Sequence, residues 1–133
     1  MIKMNIKTVS IIGLGALGIL FGNQWFKKMD YEDLRIIADK NRIERYKKDL
    51  IYCNNEVCNF QYITPETKST PADLVIFAVK FNALYDAIKA ASNQIGENTI
   101  ILSALNGISS EEIIGNAFGM DKVLYCVAQG MDA

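Results

Sequence analysis

The sequence predicts an α/β fold built on a doubly wound parallel sheet. Two observations support this prediction. Short runs of β-branched and apolar residues alternate along the chain with segments whose apolar residues recur every three or four positions. In addition, residues 73–79 are apolar from the second residue onward, which is typical of a parallel strand buried on both faces. Strands and helices that alternate in this way are expected to connect through right-handed crossovers.

Length and composition limit what the chain can be. Its 133 residues, of which 50% are hydrophobic, suffice for one core of ordinary domain size, residues 1–133. A net charge of −1 argues against nucleic acid and against anionic membrane surfaces as partners. No apolar run approaches the roughly 18 to 20 residues that a membrane span requires, so we expect a cytoplasmic protein.

The first half of the chain predicts two strands, two helical segments and one irregular region. Residues 8–12 form the first strand, and a helix follows over residues 16–28. Residues 34–39 form a second strand that ends in an acid, residues 41–48 form a charged helical turn or two, and residues 51–62 suggest a small hairpin. The face of the first helix that should cover the sheet consists of Leu17, Leu20, Phe21, Gln24 and Trp25.

The second half continues the alternation. Residues 73–79 form a strand, a helix carries Leu84, Ile88 and Ala91, and residues 99–102 form the next strand. Ser109 and Glu112 have the spacing of a capping box that opens a further helix. Residues 123–127 form the last strand, after which no helix follows to cover it. We therefore expect that a second domain belongs to the complete protein.

The cysteines and the absence of histidine exclude some chemistry. Cys53, Cys58 and Cys126 make an odd count, and without histidine a zinc site of the usual type is not expected, so we predict no metal. Cys53 and Cys58 flank a turn and could bridge a hairpin, although free thiols are favoured in a reducing compartment. Proton transfer would require lysine, a carboxylate or a group outside this segment.

The most specific signal is a GxGxxG motif that directly follows the first strand. Gly13 would permit the tight turn, Gly15 would let the backbone approach a diphosphate, and Gly18 would let the helix pack closely on the strand. The diphosphate would then face the free N–H groups of the helix. This is the Rossmann-like pattern, and it predicts a dinucleotide site formed by Gly13, Leu14, Gly15, Ala16, Leu17 and Gly18.

Three polar residues fall where predicted strands end. They are Asp39, Lys80 and Asn106. Ligands of open α/β sheets bind beyond the carboxyl ends of the strands, so these side chains are expected in the same site. Each has a simpler explanation as well: Asp39 could cap the following helix, Lys80 could be a solvated lysine, and Asn106 could form a turn with no ligand.

These motifs together resemble the ketopantoate reductase (2-dehydropantoate 2-reductase) family. The similarity lies in residues 12–18 (IGLGALG), residues 72–80 (ADLVIFAVK) and residues 102–107 (LSALNG), with a helix start at Glu111 and Glu112. They occur in the order and at the spacing of that family. The glycine loop is shared by many dehydrogenases, whereas the strand-ending lysine followed by Asn-Gly after the next strand is more specific.

The resemblance implies a two-domain cytoplasmic oxidoreductase that reduces a 2-oxo acid with NADPH, on the route to pantothenate and coenzyme A. In such an enzyme the glycine loop holds the diphosphate, Lys80 lies by the nicotinamide-side ribose, and Asn106 lies where cofactor and substrate meet. The catalytic lysine and a glutamate of the family belong to a helical second domain. This chain would then be the cofactor half, with no catalytic residue of its own and no activity by itself.

The motifs around the second strand favour two different cofactors. Many family members carry an arginine after the second strand for the 2′-phosphate of NADPH, whereas this chain has Asp39, the residue type that binds the free 2′-hydroxyl of NADH. Lys40 and Arg42 follow at once and could restore a positive pocket. We predict NADP on the grounds of the resemblance, with NAD as the alternative.

Two other functions stay open at this level. One is the cofactor domain of a different two-domain dehydrogenase, such as a 3-hydroxyacid type, and the other is a module that senses nucleotide without catalysis. The sequence does not identify the 2-oxo acid, and it leaves open whether the protein forms a homodimer.

Overall fold

Parallel strands form the central sheet of the computed structural model, which describes residues 6–14, 16–53, 55–104 and 108–124. The described strands are β1 (Val9–Ile12), β2 (Leu34–Ile37), β3 (Tyr52–Cys53), β4 (Glu56–Val57), β5 (Gln61–Ile63), β6 (Leu74–Phe77), β7 (Ile100–Ser103) and β8 (Val123–Leu124). The described helices are α1 (Ala16–Phe26), α2 (Lys40–Asp49), α3 (Leu84–Ala91) and α4 (Ile108–Phe118).

The sheet has the order β5-β2-β1-β6-β7-β8, and every pairing in it is parallel. Strands β3 and β4 form a separate antiparallel hairpin. This order runs outward in both directions from β1 and β6, so the chain direction along the sheet reverses between these two strands. The doubly wound Rossmann-like fold predicted from the sequence is confirmed.

The core lies on both faces of the sheet because alternate residues of each strand point to opposite sides. On one face, Val9 and Ile11 of β1 pack with Ile76 of β6 beneath α1. On the other face, Ile12 of β1 packs with Phe77 of β6 and with the apolar sides of α3 and α4. Burial on both faces explains why the strands read as continuous apolar runs.

Helix α1 buries only part of the predicted face: Phe21 and Trp25 are partly buried and pack on the core, as predicted. Leu20 is 40% exposed and Gln24 is exposed, whereas Gly18, Gly22 and Asn23 are buried. The small residues are buried because α1 lies so close to its neighbours that a Cβ at Gly22 would come within 2.9 Å of the ring of Phe60. Helical spacing thus identified Phe21 and Trp25 correctly, whereas the burial of the small residues follows from close packing that spacing alone does not reveal.

The chain between β2 and β6 contains more structure than the sequence suggested. The charged segment after Asp39 forms a ten-residue helix, α2, and the hairpin predicted around residues 54–56 is present. Strand β5, which was not distinguished from that hairpin, joins the main sheet as the outer neighbour of β2. The backbone N–H of Ala38 also donates to Ile63 O at 3.0 Å, which ties the ends of these two strands together.

Two further differences concern the second half. Helix α4 begins at Ile108, so Ser109 lies inside the helix and is not its N-cap. Strand β8 is described only as Val123–Leu124, and the remaining residues predicted for it lie outside the described part of the chain. In the part that the structure describes, no helix is long and apolar enough to cross a membrane.

Candidate functional site

The candidate site is a cleft at the carboxyl ends of β1 and β6, where the direction of the sheet order reverses. The backbone N–H of Ala78 donates to Ile12 O at 2.9 Å and holds the ends of these two strands together. Two adjoining cavities open there. The outer one has a volume of about 460 Å³ and the inner one about 200 Å³. Ligands of doubly wound sheets bind at this position.

The glycine motif forms the floor of the cleft. Gly13 has φ +104°, in the region that glycine adopts readily, and a Cβ there would lie 2.5 Å from Ala78 O. A Cβ on Gly18 would collide with the carbonyl oxygen of Gly13, so the first turns of α1 rest directly on the turn that follows β1. The turn and the close helix packing that the motif requires are therefore both present at these two glycines.

Asp39 lies at the junction of β2 and α2 and caps the helix. Its Oδ1 accepts a hydrogen bond of 2.8 Å from the backbone N–H of Arg42, and its Oδ2 lies 3.5 Å from Arg42 Nε. Both side chains are more than half exposed, and both line the inner cavity. Lys40, the first residue of α2, lines neither cavity. The simpler explanation of Asp39 as a helix cap is thus present together with its position in the cleft.

Lys80 follows β6 and lies in the wall of the outer cavity. Its side chain is exposed, and its carbonyl oxygen accepts a hydrogen bond of 2.9 Å from Ala83 N in the short 3₁₀ turn Phe81–Ala83 that leads into α3. This turn places the lysine beside the glycine loop, since Gly13 and Leu14 line the same cavity. The residue that ends the buried run therefore contributes a positive charge to the cleft.

Helix α3 and helix α2 supply wall residues that sequence reasoning missed. Asp86, in the first turn of α3, lines both cavities, and so does Tyr46 of α2. The inner cavity is otherwise lined on its α3 side by small side chains, Ala83, Ala87 and Ala90. The spacing of alanines three and four apart on a helix next to the strand-ending lysine was the signal that could have identified this wall.

Tyr46 also connects the cleft to the outer edge of the sheet. Its ring stacks on Tyr62 of β5 with a centroid separation of 5.6 Å. Burial, and to a smaller extent the neighbouring Tyr46, Cys58 and Tyr31, together raise the pKa of the Tyr62 phenol to about 12. The Cys58 thiol is buried and lies 3.6 Å from Asn23 Oδ1. The stacked rings of Tyr46 and Tyr62 pack α2 against β5.

Two of the predicted site residues, Gly15 and Asn106, lie outside the described part of the chain. Of Ala16 and Leu17, only the helical backbone is described. Among the described residues, the structure brings together Gly13, Leu14, Asp39, Arg42 and Lys80 around one cleft.

The cleft fits a nicotinamide dinucleotide in its main features. The tight turn at Gly13 leads directly into α1, and the free backbone N–H groups at a helix start suit a diphosphate. The small side chains of α3 leave space for a flat ring, and Lys80 and Arg42 supply positive charge. Fold and site together define the class of protein: a Rossmann-type NAD(P)-binding domain.

Comparison with known proteins identifies the family within this class. A family model described as ketopantoate reductase PanE/ApbA matches residues 9–130, and the chain belongs to this family. The 2-dehydropantoate 2-reductase of Aquifex aeolicus is 27% identical over 114 residues. A candidate 2-dehydropantoate 2-reductase from Enterococcus faecalis superposes with a TM-score of 0.71 at 26% identity. D-Mandelate dehydrogenase, crystallised with NADH and anilino(oxo)acetate, superposes with a TM-score of 0.74 at 22% identity.

These relatives are longer than the chain. The alignment covers 86% of this chain but only 36% of the Aquifex protein. The superpositions cover 89% of this chain and 40% and 39% of the Enterococcus protein and the mandelate dehydrogenase, respectively. The chain therefore spans only about two fifths of the length of these relatives.

Proposed function

We propose that residues 1–133 form the cofactor-binding domain of a two-domain oxidoreductase. The enzyme reduces a 2-oxo acid to the 2-hydroxy acid by hydride transfer from a nicotinamide dinucleotide. The first candidate substrate is 2-dehydropantoate, which would place the enzyme in the formation of pantothenate in the cytoplasm. The observation that carries the proposal is the cleft at the reversal of the sheet order, with Gly13 in its floor and Lys80 in its wall.

Different residues of the chain bind different parts of the cofactor. The glycine loop holds the diphosphate at the start of α1, where the tight turn at Gly13 and the close packing at Gly18 bring the helix start next to the end of β1. Lys80 lies by the ribose on the nicotinamide side, where its charge favours binding and orientation. Asn106 is proposed to lie where cofactor and substrate meet. Catalytic groups come from a second domain, so the domain binds and orients but does not itself transfer protons to the substrate.

The choice between NADPH and NADH depends on three neighbouring residues. Family membership favours NADPH, with Lys40 and Arg42 receiving the 2′-phosphate. The acid at the end of β2 favours NADH, because Asp39 can accept a hydrogen bond from a free 2′-hydroxyl. Replacing Lys40 and Arg42 by alanine would weaken NADPH about tenfold or more and spare NADH if they receive the phosphate.

Calorimetric titration of the purified 133-residue chain tests the proposal. We expect weak but saturable binding of NADPH or NADH, and no binding by the Gly15→Val variant, in which a Cβ would stand where the diphosphate must approach. Circular dichroism of that variant distinguishes lost binding from lost folding. Absence of binding of both dinucleotides to the wild-type chain would reject the proposed function.

Activity measurements test the proposal that this chain binds the cofactor while a second domain supplies the catalytic groups. The chain alone should show no steady-state reduction of 2-dehydropantoate with either cofactor, because the catalytic groups are proposed to lie elsewhere. Turnover by the isolated chain would contradict this. Light scattering of the same preparation would determine whether it forms a homodimer, which the proposal leaves open.

A further inference from the structure

We infer that the cleft selects a dinucleotide with a free 2′-hydroxyl, NADH, and that Asp86 on the α3 wall is a specificity-determining residue for this choice. The inference rests on the proposed function and deepens it. It differs from the preference for NADPH that family membership suggests, and the reason is the distribution of charge in the cleft walls.

Asp86 occupies the helix face that borders the inner cavity. Ala90 lies four residues after it in α3 and lines the same cavity, as does Ala83 in the 3₁₀ turn that precedes the helix. Residues four apart share one side of a helix. The carboxylate is exposed and borders both cavities together with Arg42 and Tyr46. Asp86 therefore borders, from α3, the same two cavities that Arg42 and Tyr46 border from α2.

The positive charge expected to receive a 2′-phosphate is already balanced. Asp39 accepts a hydrogen bond from the Arg42 backbone and lies 3.5 Å from its guanidinium. Lys40 does not line the cavity. Within the described ranges, no lysine or arginine nitrogen lies within ion-pair distance of Asp86. The inner cavity is thus bordered by two carboxylates and one guanidinium.

This arrangement disfavours a phosphate and favours hydroxyl groups. A phosphate monoester carries a charge of about −1.5 to −2 and only accepts hydrogen bonds, so it gains nothing from a carboxylate and is repelled by it. A ribose hydroxyl, in contrast, donates a hydrogen bond to a carboxylate oxygen. Asp39 on one wall and Asp86 on the other then act in the same direction, against NADPH and not against NADH.

The test measures dissociation constants of NADH and NADPH for the 133-residue chain and its Asp86→Asn variant by calorimetry, with 5′-AMP and 2′,5′-ADP as shorter probes. Asparagine is nearly isosteric, so the variant changes charge with little change of shape. Glu97→Gln is the matched control, because it removes one charge from the loop beside Pro71 and Asp73, remote from the cleft. Asp39→Asn, which keeps a capping side chain, is the second variant.

We expect wild type to bind NADH at least tenfold more tightly than NADPH. Asp86→Asn should tighten NADPH and 2′,5′-ADP about threefold to tenfold while NADH and 5′-AMP change less than twofold, and Glu97→Gln should change neither. The gain in NADPH affinity caused by Asp86→Asn should decrease with added salt, because the carboxylate is exposed to solvent.

Tighter binding of NADPH than of NADH by the wild-type chain would overturn the inference. Equal changes of NADPH affinity in Asp86→Asn and Glu97→Gln would overturn it as well. In both cases a dinucleotide still binds, so the proposed function stands; failure of both dinucleotides to bind rejects the two together.

Discussion

Arg35 Nη1 donates a hydrogen bond of 2.8 Å to the side-chain oxygen of Gln94, and Ser10 Oγ donates to the same oxygen at 2.8 Å. Arg35 is only 9% exposed and Gln94 only 2%. The same Nη1 also donates to Thr70 O at 2.8 Å. The charged side chain of Arg35 can be buried because neutral oxygens from two separate segments, residues 69–70 and Gln94, accept its hydrogen bonds.

A substitution of Gln94 should therefore lower the unfolding free energy more when it removes the shared acceptor oxygen than when it keeps one. Gln94→Leu leaves the buried Arg35 and Ser10 donors without this oxygen, and we expect a loss of about 2 to 4 kcal/mol of unfolding free energy. Gln94→Glu keeps an acceptor at the same position and should cost clearly less. Urea denaturation at pH 7 measures both variants. Equal losses would show that packing, and not the acceptor, matters here.

Gly18→Ala tests the close approach of α1 to the turn after β1. The new Cβ would meet the carbonyl oxygen of Gly13, which is backbone and cannot move aside easily, so we expect a loss of about 2 to 4 kcal/mol despite the higher helix propensity of alanine. Gly22→Ala is the matched control in the same helix. There the neighbour is the far edge of the Phe60 ring, which can shift, and the loss should be smaller. Thermal and urea unfolding of the two variants would reveal the order, and a reversed order would contradict the packing described.

Lys80→Ala tests the charge in the wall of the outer cavity. We expect the dissociation constant of the bound dinucleotide to rise about tenfold, which corresponds to roughly 1.4 kcal/mol. In the complete enzyme the KM for the cofactor should rise similarly while the shape of the pH profile is retained. Lys89→Ala, an exposed lysine of α3 that does not line the cleft, should leave binding unchanged. A lost limb of the pH profile with unchanged cofactor affinity would instead make Lys80 an acid in the reaction.

Asp73 links stability to pH at the amino ends of β1 and β6. Hydrogen bonds from the backbone N–H groups of Lys7 at 2.8 Å and Thr8 at 3.1 Å hold the pKa of this carboxyl below its usual value. A lowered pKa in the folded state stabilises the protein above the unfolded value near 3.9, and this contribution is lost as the pH falls through the folded value.

Asp73→Asn should therefore reduce the unfolding free energy by roughly 1 kcal/mol at pH 6, a modest figure because the bonds are partly exposed to water. The difference from wild type should shrink as the pH is lowered from 5 toward 2. Urea unfolding at several pH values measures this difference in unfolding free energy. A difference that stayed constant from pH 5 to pH 2 would exclude the negative charge of Asp73 as its cause.

Sequence reasoning succeeded where a local pattern has one physical solution. A β-branched run followed by GxGxxG leaves few alternatives to a strand, a tight turn and a close-packed helix, and Gly13 and Gly18 occupy the expected positions. The uninterrupted apolar run before Lys80 could only be a strand buried on both faces, and β6 is the central neighbour of β1. These elements are local or nearly so, and their side-chain pattern specifies them.

Strand β5 was missed because its three residues show no clear alternation and its pairing partner, β2, lies more than twenty residues earlier. Arg35 looked unremarkable in a strand until Gln94 was brought to it from a segment 59 residues away. The same is true of Asp86, whose relation to Asp39 and Arg42 exists only because α3 and α2 border one cleft.

The sequence by itself thus determined the class of fold, the position of the glycine floor and the lysine that ends β6, since each follows from propensity and periodicity along a continuous segment. Only the tertiary structure decided that the small residues Gly22 and Asn23 of α1 are buried, and that Asp86 of α3 borders the same cleft as Asp39 and Arg42. Those facts depend on which segments the parallel sheet brings side by side. Contacts between distant segments leave no periodic trace in the chain.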